Sequence, residues 1–107
     1  MEKQFSPKDP KEMYQICFDF SYVLGKWERL LKLKKHTKIL AIDTTDGSDV
    51  TDIILDSSKQ KITWKKVHLW VRGGEVGHSY RFSTEILRTN KGTRLSPLTG
   101  VMNIEEK

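Results

Sequence analysis

From Ile16 to Leu31 the apolar residues Ile16, Phe20, Val23, Leu24, Trp27, Leu30 and Leu31 recur at helical spacing. Gln15, Asp19, Lys26 and Arg29 fall between them, which leaves the opposite face polar. Just upstream, Asp9-Pro10-Lys11-Glu12 combines an N-cap acceptor, a proline at N1 with its φ already set, and a glutamate at N3 that reaches back to the cap amide. The two signals together predict a helix from about Pro10 to Lys34. A competing pattern runs through the same residues: Tyr14, Ile16, Phe18, Phe20 and Tyr22 alternate with period two, as a strand does. The cap and the continuation of the stripe to Leu31 weigh for the helix. Gly25, costing about 1 kcal/mol against alanine, is where it would divide in two.

Beyond His36 the pattern is that of strands. Thr37 to Asp43 (TKILAID) is a short apolar run closed by the turn cluster Thr44-Thr45-Asp46-Gly47-Ser48. Val50 to Asp56 fits either a strand or, after a Ser48 cap, a short helix, and its type stays open. Ser57 to Gln60 reads as a turn. Lys61 to Arg72 and Ser79 to Arg88 read as two long strands of one hairpin joined through Gly73-Gly74-Glu75-Val76-Gly77. Lys65-Lys66 breaks the alternation set by Ile62 and Trp64, which marks a β-bulge. Asn90-Lys91-Gly92 makes a further turn, and Thr93 to Ile104 adds a last strand whose Pro97 suits a sheet edge. The expected fold is therefore α+β, a single domain over residues 1–107. A long N-terminal helix would pack on an antiparallel sheet of four or five strands, with residues 37–104 mainly β.

Composition agrees with one domain: 107 residues, 36% hydrophobic and 31% charged. No apolar run approaches the roughly 18 to 20 residues that cross a bilayer, and the N-terminus lacks the apolar stretch of a signal peptide, so neither a membrane nor secretion is expected. The single cysteine, Cys17, cannot form an internal disulfide and reads as a buried structural thiol, which fits an intracellular compartment. A net charge of +5 with a pI near 9.4 permits an anionic partner. By segment the contrast is sharper. Lys26 to Lys38 carries +5, Asp43 to Asp56 carries −5, and Lys59 to Arg94 carries +7.

In the expected hairpin register, Trp70 pairs with Ser79 and Val67 with Phe82. Val67, Leu69, Val71, Tyr80 and Phe82 then share the core face. Lys66, His68, Trp70, Arg72 and Arg81 share the other, with Trp64 further along it. Alternating cations and indoles suit single-stranded nucleic acid, because the cations track phosphates while each indole offers a stacking plane. Lys32, Lys34, Lys35 and Lys38 would add phosphate contacts. The function expected is thus non-enzymatic, sequence-tolerant nucleic-acid binding that prefers single strands or RNA. Against it stands a structural explanation: a one-residue slip would turn Trp64 and Trp70 into the core.

Asp43, Asp46, Asp49, Asp52 and Asp56 recur every three or four residues, without the spacing of an EF-hand or of a magnesium nuclease with Lys59 or Lys61. Turn formation and capping explain most of that run. In the alternative functional reading, these aspartates or a free β edge bind a protein partner, as in an adaptor or inhibitor. Homodimerisation through the edge near Thr93 to Ile104 is compatible with both readings. His36, His68 and His78 lack zinc spacing, and Gly73-Gly74 opens no helix as a phosphate-binding loop would. No cofactor is expected.

Overall fold

Alternation at every second residue, not helical spacing, governs the segment from Tyr14 to Phe20. The computed structural model describes residues 2–31, 37–92 and 94–106. Its strands are β1 (Glu2–Gln4), β2 (Tyr14–Asp19), β3 (Thr37–Asp43), β4 (Lys61–Ile62), β5 (Lys66–Val71), β6 (Ser79–Leu87) and β7 (Thr99–Asn103). Between β3 and β4 lie a single-turn helix, α1 (Thr51–Ile54), and a 3-10 turn (Ser57–Lys59). The strands form a four-stranded sheet, β1-β7-β6-β3, and a three-stranded sheet, β2-β5-β4. The architecture is mostly β, and the α+β expectation is corrected accordingly.

The long N-terminal helix is absent from the described part of residues 10–34. Its start signal is nonetheless formed: the Asp9 amide donates to Glu12 Oε1 at 3.1 Å, and the Lys11 amide donates to Asp9 Oδ1 at 2.8 Å. The box closes one turn and stops, because the next residues, Tyr14, Ile16, Phe18 and Phe20, are aromatic or β-branched and alternate. Ile16, Phe18 and Phe20 are buried while Gln15 and Asp19 are exposed, as a one-sided strand requires. A capping box alone does not overcome the cost of helix nucleation.

The expected hairpin is also corrected. β5 pairs with β2 and β4, whereas β6 pairs with β3 and β7, so the two runs belong to different sheets. Lys61 to Arg72 is not one strand. It turns at residues 63–65, where the Thr63 amide donates to the Lys66 carbonyl, so that a tight β4–β5 hairpin stands where a bulge was expected. Residues 73–78 then cross from one sheet to the other. The core side of each strand is as expected: Val67, Leu69 and Val71 from one sheet and Tyr80 and Phe82 from the other are all buried in a single cluster. Alternation within each strand fixed the faces, although the partners were different.

Two features fasten the sheets. Phe5 makes edge-on ring contacts with Phe18 of the smaller sheet (5.8 Å) and Phe82 of the larger (6.4 Å). Its ring lies over Gly100, where any Cβ would collide with it. Lys8 is fully buried, and its Nζ donates to the carbonyls of Asp9 (2.8 Å) and Gly73 (2.7 Å), tying the N-terminal segment to the sheet-to-sheet crossing. The last strand is not an edge. β1 runs parallel beside β7, and Lys8 continues the ladder opposite Ile104, so the edge invoked for homodimerisation is occupied. Among the described residues, no helix is long and apolar enough to cross a membrane.

Candidate nucleic-acid interface

The alternation that buries Val67, Leu69 and Val71 sends Lys66, His68 and Trp70 to the outer face of the three-stranded sheet. Asp19, Cys17 and Gln15 of β2 lie opposite them on one side, and Lys61 of β4 lies opposite His68 on the other. Trp70 is half-buried, with Lys59 Nζ 5.5 Å from its ring centroid, a cation–π contact. His68 Nε2 sits 3.4 Å from Thr63 Oγ1. At the hairpin tip Trp64 is 53% exposed beside the half-buried Lys65. Cys17 faces this side as well, half-buried on a strand rather than buried in a helix, and burial pushes its thiol pKa up.

Not all of the expected residues join this face. Arg72 lies just past β5, and its guanidinium caps α1 by donating from Nε to the Ile53 carbonyl (3.1 Å) and from Nη2 to the Asp52 carbonyl (3.2 Å). Arg81 is exposed on the outer face of the four-stranded sheet, across the core from Trp70. Lys38 is exposed on β3 of that same sheet. Lys32, Lys34, Lys35 and His36 lie outside the described residues. Lys59 and Lys61 were missed as members of the face, because a single strand over Lys61 to Arg72 hides the fold-back at residues 63–65 that brings β4 beside β5.

The aspartates have mostly local tasks. Asp43, Asp46, Asp49 and Asp56 each accept the amide two residues ahead, from Thr45, Ser48, Thr51 and Ser58. Hydroxyl bonds from Ser48, Thr51 and Ser58 are the leading reason that Asp46, Asp49 and Asp56 titrate below the usual carboxylate range. The sequence signature is Asp-x-Ser/Thr. Asp52 is exposed.

Asp43 has a second partner that no sequence spacing indicated. Buried at the end of β3, its Oδ2 lies 2.8 Å from Nδ1 of His78, and His78 Nε2 lies 3.2 Å from Oε2 of the exposed Glu75. The hydrogen bond from His78 is the main cause of the lowered Asp43 pKa and, reciprocally, of the raised His78 pKa. Tyr80 stacks near the imidazole and accepts the Glu75 amide at 3.0 Å, while burial pushes its phenol pKa up. These groups border a cavity of about 260 Å³ that Asp46, Val50 and Ile54 also line. Three carboxylates against one imidazole repel phosphate, so this cavity does not extend the basic face. No protein-family model, curated protein or solved structure matches the chain.

Proposed function

We propose that the protein binds single-stranded nucleic acid on the outer face of its three-stranded sheet, with little demand for sequence and without catalysing a reaction on it. One observation carries this reading: Lys66, His68 and Trp70 form a row on the solvent side of β5, with Lys61 beside His68 and Lys59 over the Trp70 indole. Lysines clustered around an aromatic side chain meet phosphates while the indole offers a surface on which a base stacks. Trp64 and Lys65 extend the row at the hairpin tip. Titrating the intrinsic tryptophan fluorescence with oligothymidylate, oligouridylate and duplex DNA at two salt concentrations tests it. Salt-sensitive quenching that is strongest with the single strands, and weakened in Lys61→Ala/Lys66→Ala, is the expected result. An affinity indifferent to salt would refute the phosphate contacts.

A second reading, binding of a protein partner by the acidic segment, is favoured by the groove of about 560 Å³ beside β3, where Asp49 and Asp52 face Lys38 and the exposed Ile53. A partner held there is lost on changing Asp49 and Asp52 to lysine, a change that leaves the basic face intact.

A further inference from the structure

We propose that Trp27 is a second stacking residue, held out for an unpaired nucleobase by a braced loop beside the β4–β5 hairpin tip; this inference rests on the nucleic-acid reading above. Trp27 is 70% exposed, whereas tryptophan is ordinarily among the more buried side chains. It is also the one non-glycine residue with positive φ among those described, at 66°. A bulky side chain rarely enters that region unless the surrounding structure holds it there.

The surroundings do hold it. The Gly25 amide donates to Glu28 Oε1 (3.0 Å), and the Glu28 amide donates back to the Gly25 carbonyl (3.1 Å). Glu28 Oε2 accepts the Thr89 hydroxyl (2.9 Å). Asn90 clasps the other side: its Nδ2 donates to the Trp27 carbonyl (3.2 Å), its Oδ1 accepts the Arg29 amide (3.0 Å), and its own amide donates to the Arg29 carbonyl (3.0 Å). Packing offers no return for this constraint, since Leu24 and Leu30 are the loop residues that enter the core and the indole does not. A strained backbone braced from a distant part of the chain, displaying an aromatic plane to solvent, is the arrangement of a binding residue.

Position and charge select the ligand. The Leu30 amide donates to the Trp64 carbonyl and the Phe20 amide to the Lys65 carbonyl, both at 2.8 Å, so the loop is docked on the hairpin tip. Trp27 is three residue steps along the chain from Leu30, a reach of at most about 10 Å. Lys26 Nζ lies 5.7 Å from the Trp27 ring centroid, and Arg29 and Lys65 are also exposed or half-exposed here, as is Tyr22 in the same loop. The nearby acids are engaged internally, Glu28 as described and Asp19 by the Ser21 amide. Planar rings among cations fit a polyanion with unstacked bases.

Trp27→Asn tests the assignment, because asparagine tolerates the same backbone conformation without an indole. The expected result is a melting temperature equal to or a few degrees above that of the wild type, with affinity for oligothymidylate reduced about tenfold, and near-wild-type affinity in Trp27→Phe. In wild-type protein labelled with 5-fluorotryptophan, the fluorine resonance of Trp27 shifts on adding the oligonucleotide. Unchanged affinity in Trp27→Asn, or a static Trp27 resonance, overturns the inference while leaving the sheet-face reading intact if Lys61→Ala/Lys66→Ala weakens binding. A loss of affinity accompanied by a lower melting temperature assigns the indole to loop packing and also overturns it. Wild-type protein that binds no oligonucleotide at low salt removes both readings together.

Discussion

Lys8 shows how one residue can hold distant chain segments. Its burial lowers its pKa, the only counterweights being the charges of Glu12 and Asp9, so the folded protein holds this proton less tightly than the unfolded chain does. The ammonium donates to the Asp9 carbonyl, which the Glu12 amide also reaches, and to the Gly73 carbonyl, for which it is the donor that spans the crossing. Lys8→Ala is expected to cost about 2 to 4 kcal/mol in urea unfolding, through a cavity and the loss of the donor to the Gly73 carbonyl. Lys8→Met, which keeps most of the stem, should lose less. His78 makes a different prediction. A neutral imidazole has one N–H, yet both ring nitrogens face carboxylates, so the arrangement favours the imidazolium. Because its pKa is raised above 6.5 in the fold, its contribution to stability is complete below about pH 6.5 and is lost as pH rises through the folded value. Asp43 works in the opposite sense: its lowered pKa gives stability present above 3.8 and lost as pH falls through the folded value. Melting temperature should therefore fall as pH rises from about 6.5 toward 8 in the wild type and change less over that window in His78→Gln, the window lying below the thiol and phenol titrations of Cys17 and Tyr80.

At the scale of elements, the face each strand buries was legible and the partners it chooses were not. Thr37–Asp43 forms the strand its residues indicate, and Val67, Leu69 and Val71 point inward as alternation requires. Two competing periods ran through Tyr14 to Tyr22, and the capping box favoured the wrong one because it is a local signal that equally well closes an isolated turn. Gly25 and Glu28 repeat the same device inside the expected helix and again close only a turn. The five-residue connection after Arg72 looked like a hairpin loop, yet β5 has both edges filled, by β2 and β4, so its successor must begin in the other sheet. No local property of residues 73–78 records that. The contact of Phe5 with Gly100 was equally invisible, since the partners are far apart in sequence and glycine carries no hydrophobic signal. Gly100→Ala should destabilise the protein by about 1 to 3 kcal/mol, because the Phe5 ring must leave its place between Phe18 and Phe82. A lower midpoint in chemical denaturation, with the β-type circular dichroism spectrum retained, is the expected observation.

Over the whole molecule, what matters is how the two sheets divide the charge. The segment sums already alternated between basic, acidic and basic, but the fold sends the cations of the third segment to opposite sides of one core: Lys61, Lys65 and Lys66 with the smaller sheet, Arg81 with the larger. At physiological salt the Debye length is about 8 Å, so Arg81 contributes little to a strand lying across Trp70. Lys59, Lys61, Lys65 and Lys66 do contribute, and each phosphate neutralised by one of them releases counterions. Four such contacts to a single strand give a slope of about −3 in log affinity against log salt. Lys61→Ala/Lys66→Ala should reduce that slope by about half, while Arg81→Ala should leave it unchanged. Measuring the slope rather than a single dissociation constant separates a lost phosphate contact from a lost stacking plane: Trp70→Ala should weaken binding at every salt concentration and keep the wild-type slope.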